Sequence, residues 1–213
     1  MGRLTVFILA LAGCLSVTTA NNFDCSRVTD TRMFPKEVCF ISDCTRAMKE
    51  HIQHEFNAAF KYMYMGAHFA QDYINRPGLA KFLFEAASEE RGHAIQMLDY
   101  LNLRGIKLNS TLNYQFPAAI MLNMPLTYLG ALEEAVNMEI EVTNLIYDVV
   151  EKCSDDFHGA DVFTDPILDE QHDGLRKLQG AVRGFKDLQS GQSGQGIKLA
   201  EYMFDNKMMH GDF

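Results

Sequence analysis

The stretch Ser88-Glu89-Glu90-Arg91-Gly92-His93 sets two glutamates four and three residues ahead of a histidine. On a helix of about 3.6 residues per turn, all three side chains fall on one face. Glu-x-x-His on a bundle helix is one way to ligate a di-iron or di-manganese centre, although the same spacing also occurs on solvated faces. Phe82, Phe84, Ala86, Ala87, Ala94 and Met97 surround the motif with apolar bulk, which favours burial. Buried carboxylates need a compensating partner, and a pair of metal ions is one.

Working outward, Asn75-Arg76-Pro77-Gly78 reads as a turn, with Pro77 placed to open the motif's helix. That helix runs to about Arg104, where Gly105 terminates it. Before the turn, a long helix extends from about Asp43, as N-cap, to about Asp72, with Phe56, Phe60, Met63, Ala67 and Ala70 at helical spacing. After a long connection over 105–124, a third helix runs from about Pro125 to Lys152. Residues 153–160 are turn-like, and a fourth helix runs from about Asp161 to about Leu188. The Gly-rich loop 190–196 then precedes a short fifth helix carrying Leu199, Tyr202 and Met203. No alternating run suggests a sheet. The fold class is therefore all-α. A four-helix bundle is expected, with a long crossover that lets helices 2 and 3 run parallel and a short fifth helix appended.

This plan has a register. Glu55 lies 20 residues before Asn75 and His93 lies 18 after it, while Tyr62 lies 13 before and Glu89 14 after. In an antiparallel pair these residues share a depth. Glu139 is 14 residues past Pro125 and Glu89 is 12 past Pro77, so parallel second and third helices bring them level. Around Phe157, Glu139 lies 18 before and Gln171 14 after, within about one turn of level. An oxygen-rich set with one imidazole suits iron or manganese better than structural zinc. A second metal position would have Glu89 and Glu139 and little else, which suits a centre that passes its product on.

The 213 residues suffice for one domain with a sizeable core, and 47% are hydrophobic. A net charge of −9 argues against nucleic acid as a partner and is compatible with attracting cations. Residues 1–20 carry Arg3, an apolar run from Thr5 to Leu15 and small residues at Thr18-Thr19-Ala20, the pattern of a secretory signal. Residues 21–43 read as an irregular arm. No later stretch reads as a membrane span, so none is expected after signal cleavage, and the chain is expected in the secretory lumen or outside the cell. Beyond Cys14, an even set remains: Cys25, Cys39, Cys44 and Cys153, which suggests disulfides in an oxidising compartment. Asn109-Ser110-Thr111 is an N-glycosylation sequon, meaningful in an exported chain.

Together, Glu55 through Tyr62, Glu89-Glu90-Arg91-Gly92-His93, Glu139, Asp169-Glu170-Gln171 and Leu199-Ala200-Glu201-Tyr202-Met203-Phe204-Asp205 resemble the ferroxidase (heavy-type) ferritins over about Cys44 to Asn206. The leader and arm make the chain similar to the secreted ferritins of arthropods. The resemblance implies a ferritin-like di-iron domain over 44–213. It implies iron storage with ferroxidase activity: Fe(II) oxidised to Fe(III) by dioxygen, with two irons per subunit. Mineral would be sequestered in a shell of 24 subunits, of one type or mixed with a second. It implies that Glu55, Glu90 and His93 bind the first iron, that Glu90 bridges, and that Glu89 and Glu139 bind the second. Tyr62 and Gln171 would support through hydrogen bonds.

Two departures stand out. The family's three-fold channel usually has an Asp and a Glu one turn apart. Asp161 fits the Asp, but Thr164 stands at the Glu position with Asp165 beside it. Gly92 and Ile95 stand where cavity-facing acids often occur, with Glu85 as partial compensation. If the third helix opposes the first, Cys44 and Cys153 lie at the same end and pair. Cys25 and Cys39 then pair with each other or with another subunit. His51 and His54 are expected at the surface, the methionines in core packing, and His158, His172 and His210 without convergent partners. A carrier subunit without chemistry of its own and a metal-free signalling bundle are the competing readings. The intact ligand set argues against the first and the level glutamates against the second.

Overall fold

The computed structural model describes the backbone of residues 23–24, together with residues 39–106, 108 and 127–211. The leader, Cys25, the sequon at Asn109 and Pro125 lie outside the described residues. A two-residue antiparallel bridge pairs β1 (Phe23–Asp24) with β2 (Phe40–Ile41). The rest is helical: α1 (Ser42–Phe69), α2 (Pro77–Leu103), α3 (Tyr128–Lys152), α4 (Phe157–Val162), α5 (Leu168–Gln189) and α6 (Gln195–Met209).

Four of these form the expected bundle. The apolar stripe of α1, with Met48, Ile52, Met65 and Phe69, closes against Leu79, Leu83, Met97 and Leu101 of α2. Leu132, Ile146 and Val149 of α3 and Leu178 and Phe185 of α5 complete the core. A disulfide joins Cys44, near the start of α1, to Cys153, just past α3. It sets α1 against α3, and because α1 and α2 form a hairpin, α2 and α3 run parallel. Cys39 is also disulfide-bonded.

Local chemistry departs from the sequence reading in three places. Asp43 is not the N-cap of α1. It sits in the first turn, paired with Arg46 at 2.6 Å, and Ile41 occupies the cap without a side-chain bond. Helix α3 begins at Tyr128, where the Thr127 hydroxyl accepts from the Gly130 N–H at 3.0 Å. The fourth long helix is not continuous from Asp161. Helix α4 starts earlier, at Phe157, with Asp156 accepting the Gly159 N–H, and the chain kinks over 163–167 before α5. Asp165 leaves helical geometry there (φ −145°, ψ 115°), followed by cis Pro166. Proline lacks the N–H a helix interior needs and disfavours helical geometry in its predecessor, so Pro166 was the signal for this break.

Both ends of α2 are tied to distant chain. At its start, the Gly78 and Leu79 N–H groups donate to Asp205 of α6 at 3.0 and 2.8 Å. These groups have no partner within their own helix, so a carboxylate from another element caps it. A methyl group on Gly78 would overlap the Asp205 carbonyl, so α6 can dock this closely only on glycine. At the other end, Arg104 makes a buried two-pronged bond to Asp156, at 3.1 and 2.9 Å, and also reaches Tyr100 and the Cys39 carbonyl.

Asp205→Ala leaves two buried N–H groups without an acceptor. It is expected to cost roughly 1–3 kcal/mol, read as a lowered urea midpoint. Cys153→Ser opens a link between residues 109 apart in sequence and is expected to cost about 2–5 kcal/mol, read as a lowered urea midpoint.

Candidate metal centre

The side chains converge halfway along the bundle, where an apolar core would otherwise be expected. Glu55 on α1 and Glu90 and His93 on α2 are all buried, Glu55 completely. His93 Nδ1 lies 3.8 Å from Glu55 Oε2 and 3.8 Å from Glu90 Oε2. None of these three atoms has a hydrogen-bond partner. Buried polar atoms left unpaired cost about 1–3 kcal/mol each, so three facing one another form a site built for something else. One donor atom from each residue lies within 4.8 Å of the others, a spacing that admits a metal ion.

A second group adjoins it. Glu89, His93 and Glu170 also converge within 4.8 Å, with both carboxylates exposed, and His93 Nε2 lies 3.2 Å from Glu170 Oε2. A cavity of about 250 Å³ opens beside them, lined by Glu89, Glu90, Glu139, Glu170 and Gln171 among others. Tyr62 donates to Glu139 Oε1 at 2.5 Å, and Thr143 donates to Gln171 Oε1 at 3.0 Å.

The structure thus brings together all seven residues singled out from sequence, with two adjustments. Glu89, Glu90 and His93 do not share one buried face, because Glu89 lies at the wet edge of the stripe. Tyr62 reaches across to Glu139 on α3 rather than to Glu89. Asp161, Thr164 and Asp165 are exposed at the kink, with the Thr164 hydroxyl donating to the Asp161 carbonyl at 3.4 Å.

One expectation is corrected outright. His51 is not a surface residue: it is 1% exposed, and its Nε2 lies 2.8 Å from Glu55 Oε1. His51, Glu55 and Tyr62 stand at i, i+4 and i+11, one stripe of α1, and that spacing was visible in the sequence. His54 is exposed, as expected. Glu170 was also overlooked, since nothing in its local sequence separates it from a solvated acid. His158 and His172 do have neighbours, the ring of Tyr100 and the hydroxyl of Tyr147.

The electrostatics follow from burial. Desolvation alone would raise the Glu55 pKa, but the hydrogen bond with His51 and then the nearby His93 outweigh it and hold Glu55 far below the ordinary carboxylate range. Burial pushes Glu90 well above that range and raises Glu139. Burial opposes the charge on His93, but Glu55 and Glu90 together push its pKa up to about 11. Tyr62, buried beside Glu139, is driven well above its ordinary value. His93 and Glu90 therefore hold protons more tightly, and Glu55 less tightly, than the free side chains do.

The Ferritin-like domain profile matches residues 45–188. Over 95% of the chain, and 96% of the relative, the sequence is 33% identical to a ferritin heavy chain of Trichoplusia ni. It is 39% identical to that of Papilio xuthus over 78% of the chain and 79% of the relative. The crystal structure of Trichoplusia ni secreted ferritin superposes with a TM-score of 0.71 at 33% identity, covering 87% of this chain and all of that one. The chain belongs to the ferritin family. It is an iron-storage protein of the heavy, ferroxidase type.

Metal ions and protons compete for the same atoms here. Zn(II), as a redox-inert probe, is expected to bind more tightly as pH rises and to release protons on binding. Calorimetry in buffers of different ionisation enthalpy measures that release, and Glu90→Gln is expected to shrink it.

Proposed function

We propose that Glu55, Glu90 and His93 hold one substrate Fe(II), that Glu90 bridges, and that Glu89 and Glu139 hold a second. Tyr62 and Gln171 position the set: Tyr62 fixes Glu139 by its hydroxyl, and Gln171 is held by Thr143. The two Fe(II) together give two electrons to dioxygen, which takes up two protons and leaves as hydrogen peroxide. The Fe(III) formed hydrolyses, releasing protons, and leaves for the interior of the shell.

The observation that carries this reading is the trio of buried, unpartnered atoms: Glu55 Oε2, Glu90 Oε2 and His93 Nδ1. Hard carboxylate oxygens with one imidazole fit Fe(II), and their summed negative charge favours Fe(III) more strongly, which helps drive the oxidation. The exposed carboxylates of Glu89 and Glu170 supply a looser position from which product can depart.

Likeness to a secreted ferritin and a leader of signal type support residence in the secretory lumen or outside the cell. Among the described residues no helix is long and apolar enough to cross a membrane. Family membership supports assembly into a shell of 24 subunits, alone or with a second subunit type. Exposed Leu199, Tyr202 and Met203 on α6 supply apolar surface for such contacts.

In assembled shells, Glu90→Ala and His93→Ala are each expected to slow rapid Fe(II) oxidation by on the order of 10–100-fold in stopped-flow measurements. Rates equal to wild type in both would remove these residues from the site.

A further inference from the structure

The face of the bundle formed by α1 and α3 carries two adjoining grooves. One, of about 180 Å³, is lined by Glu50, His51, His54, Leu145 and Asp148 among others. The next, of about 280 Å³, includes His54, Asn57, Glu141 and Leu145. His54 and Leu145 line both, so the grooves adjoin at these two side chains. At the inner end stands His51, with ring centroid 6.3 Å from that of His54.

The state of His51 is unusual for a core histidine. Its Nε2 lies 2.8 Å from Glu55 Oε1 and is hydrogen-bonded to it. Nδ1 is buried and has no hydrogen-bond partner. Phe163, packed edge-on at 5.8 Å between centroids, holds the ring in place. An imidazole oriented by a carboxylate on one nitrogen, with the other nitrogen open, is the usual arrangement of a metal-ligating histidine. Its carboxylate is here the innermost residue of the iron centre.

We propose that His51 Nδ1 and His54 form an additional divalent-cation site in the α1–α3 groove, through which Fe(II) reaches Glu55 from the side opposite the Glu89–Glu170 cavity. The carboxylates of Glu50, Glu141 and Asp148 outnumber the ammonium groups of Lys61 and Lys152 along the grooves, which leaves the lining net acidic and favours a cation. Two imidazoles and water bind Fe(II) firmly enough to strip part of its hydration, yet more weakly than the three-residue centre behind them, so the ion moves inward. This inference rests on the iron-oxidising reading of Glu55, Glu90 and His93, and its test separates the two.

Co(II) serves as the probe, by its visible absorption in assembled shells. In Glu90→Ala shells, where the inner centre is impaired, Co(II) bound through histidine is expected to persist, and adding His54→Ala is expected to abolish it. Fe(II) oxidation is then followed as a function of Fe(II) concentration in His54→Ala and in Leu145→Trp, which fills the groove. Both are expected to raise KM by about 3–10-fold with kcat unchanged, the signature of lost binding rather than lost chemistry. A Co(II) spectrum indifferent to His54→Ala, or wild-type KM in either variant, overturns the proposal. Wild-type oxidation rates in Glu90→Ala would instead overturn the inner centre, while the Co(II) result would still decide the groove.

Discussion

Placing three carboxylates and an imidazole in the middle of an apolar bundle is the constraint to which the rest of the structure answers. Removing one such charge from water costs several kcal/mol even after relaxation. The protein limits that cost by burial that raises the Glu90 and Glu139 pKa values and by setting two histidines beside Glu55. What remains is a set of buried polar atoms that face one another without partners, tolerable in the resting chain and relieved when a cation arrives. The site is metastable by construction, and its stability and its affinity are two readings of one imbalance.

Such an imbalance is useful only if the ligands cannot drift apart or collapse together. The bundle opposes both. Leu79, Leu83, Met97 and Leu101 lock α2 onto α1 on either side of the site. The disulfide fixes the α1–α3 pair at one end, and Tyr62 spans the same two helices at mid-depth through Glu139. The kink before Pro166 belongs to this frame as well, because it seats Phe163 against His51, which in turn holds Glu55. An interruption of regular helix thereby serves the orientation of a ligand.

Much of this was legible in the chain. Helix periodicity, the Pro77 and Gly105 boundaries and the equal distances of Glu55 and His93 from Asn75 depend on local geometry, which sequence reports well. Pairings between helices are less legible. That Tyr62 meets Glu139 rather than Glu89 depends on how α1 is rotated against two neighbours at once. The role of His51 was obscured differently: its spacing to Glu55 was plain, but a histidine next to a polar stretch reads as solvated until Phe163 is known to cover it. The tie between Arg104 and Asp156 joins residues far apart in sequence with no periodic signal between them.

The docking of α6 on α2 also orders events in time. The helix bearing Glu89, Glu90 and His93 is made early in synthesis, whereas the carboxylate that closes its first turn belongs to Asp205, translated well over a hundred residues later. A nascent chain therefore carries its metal-binding residues on a helix that is still open at one end. The scaffold around them is completed only when the short helix α6 has emerged and folded back, so the competence to handle a redox-active metal is tied to the near-completion of the polypeptide.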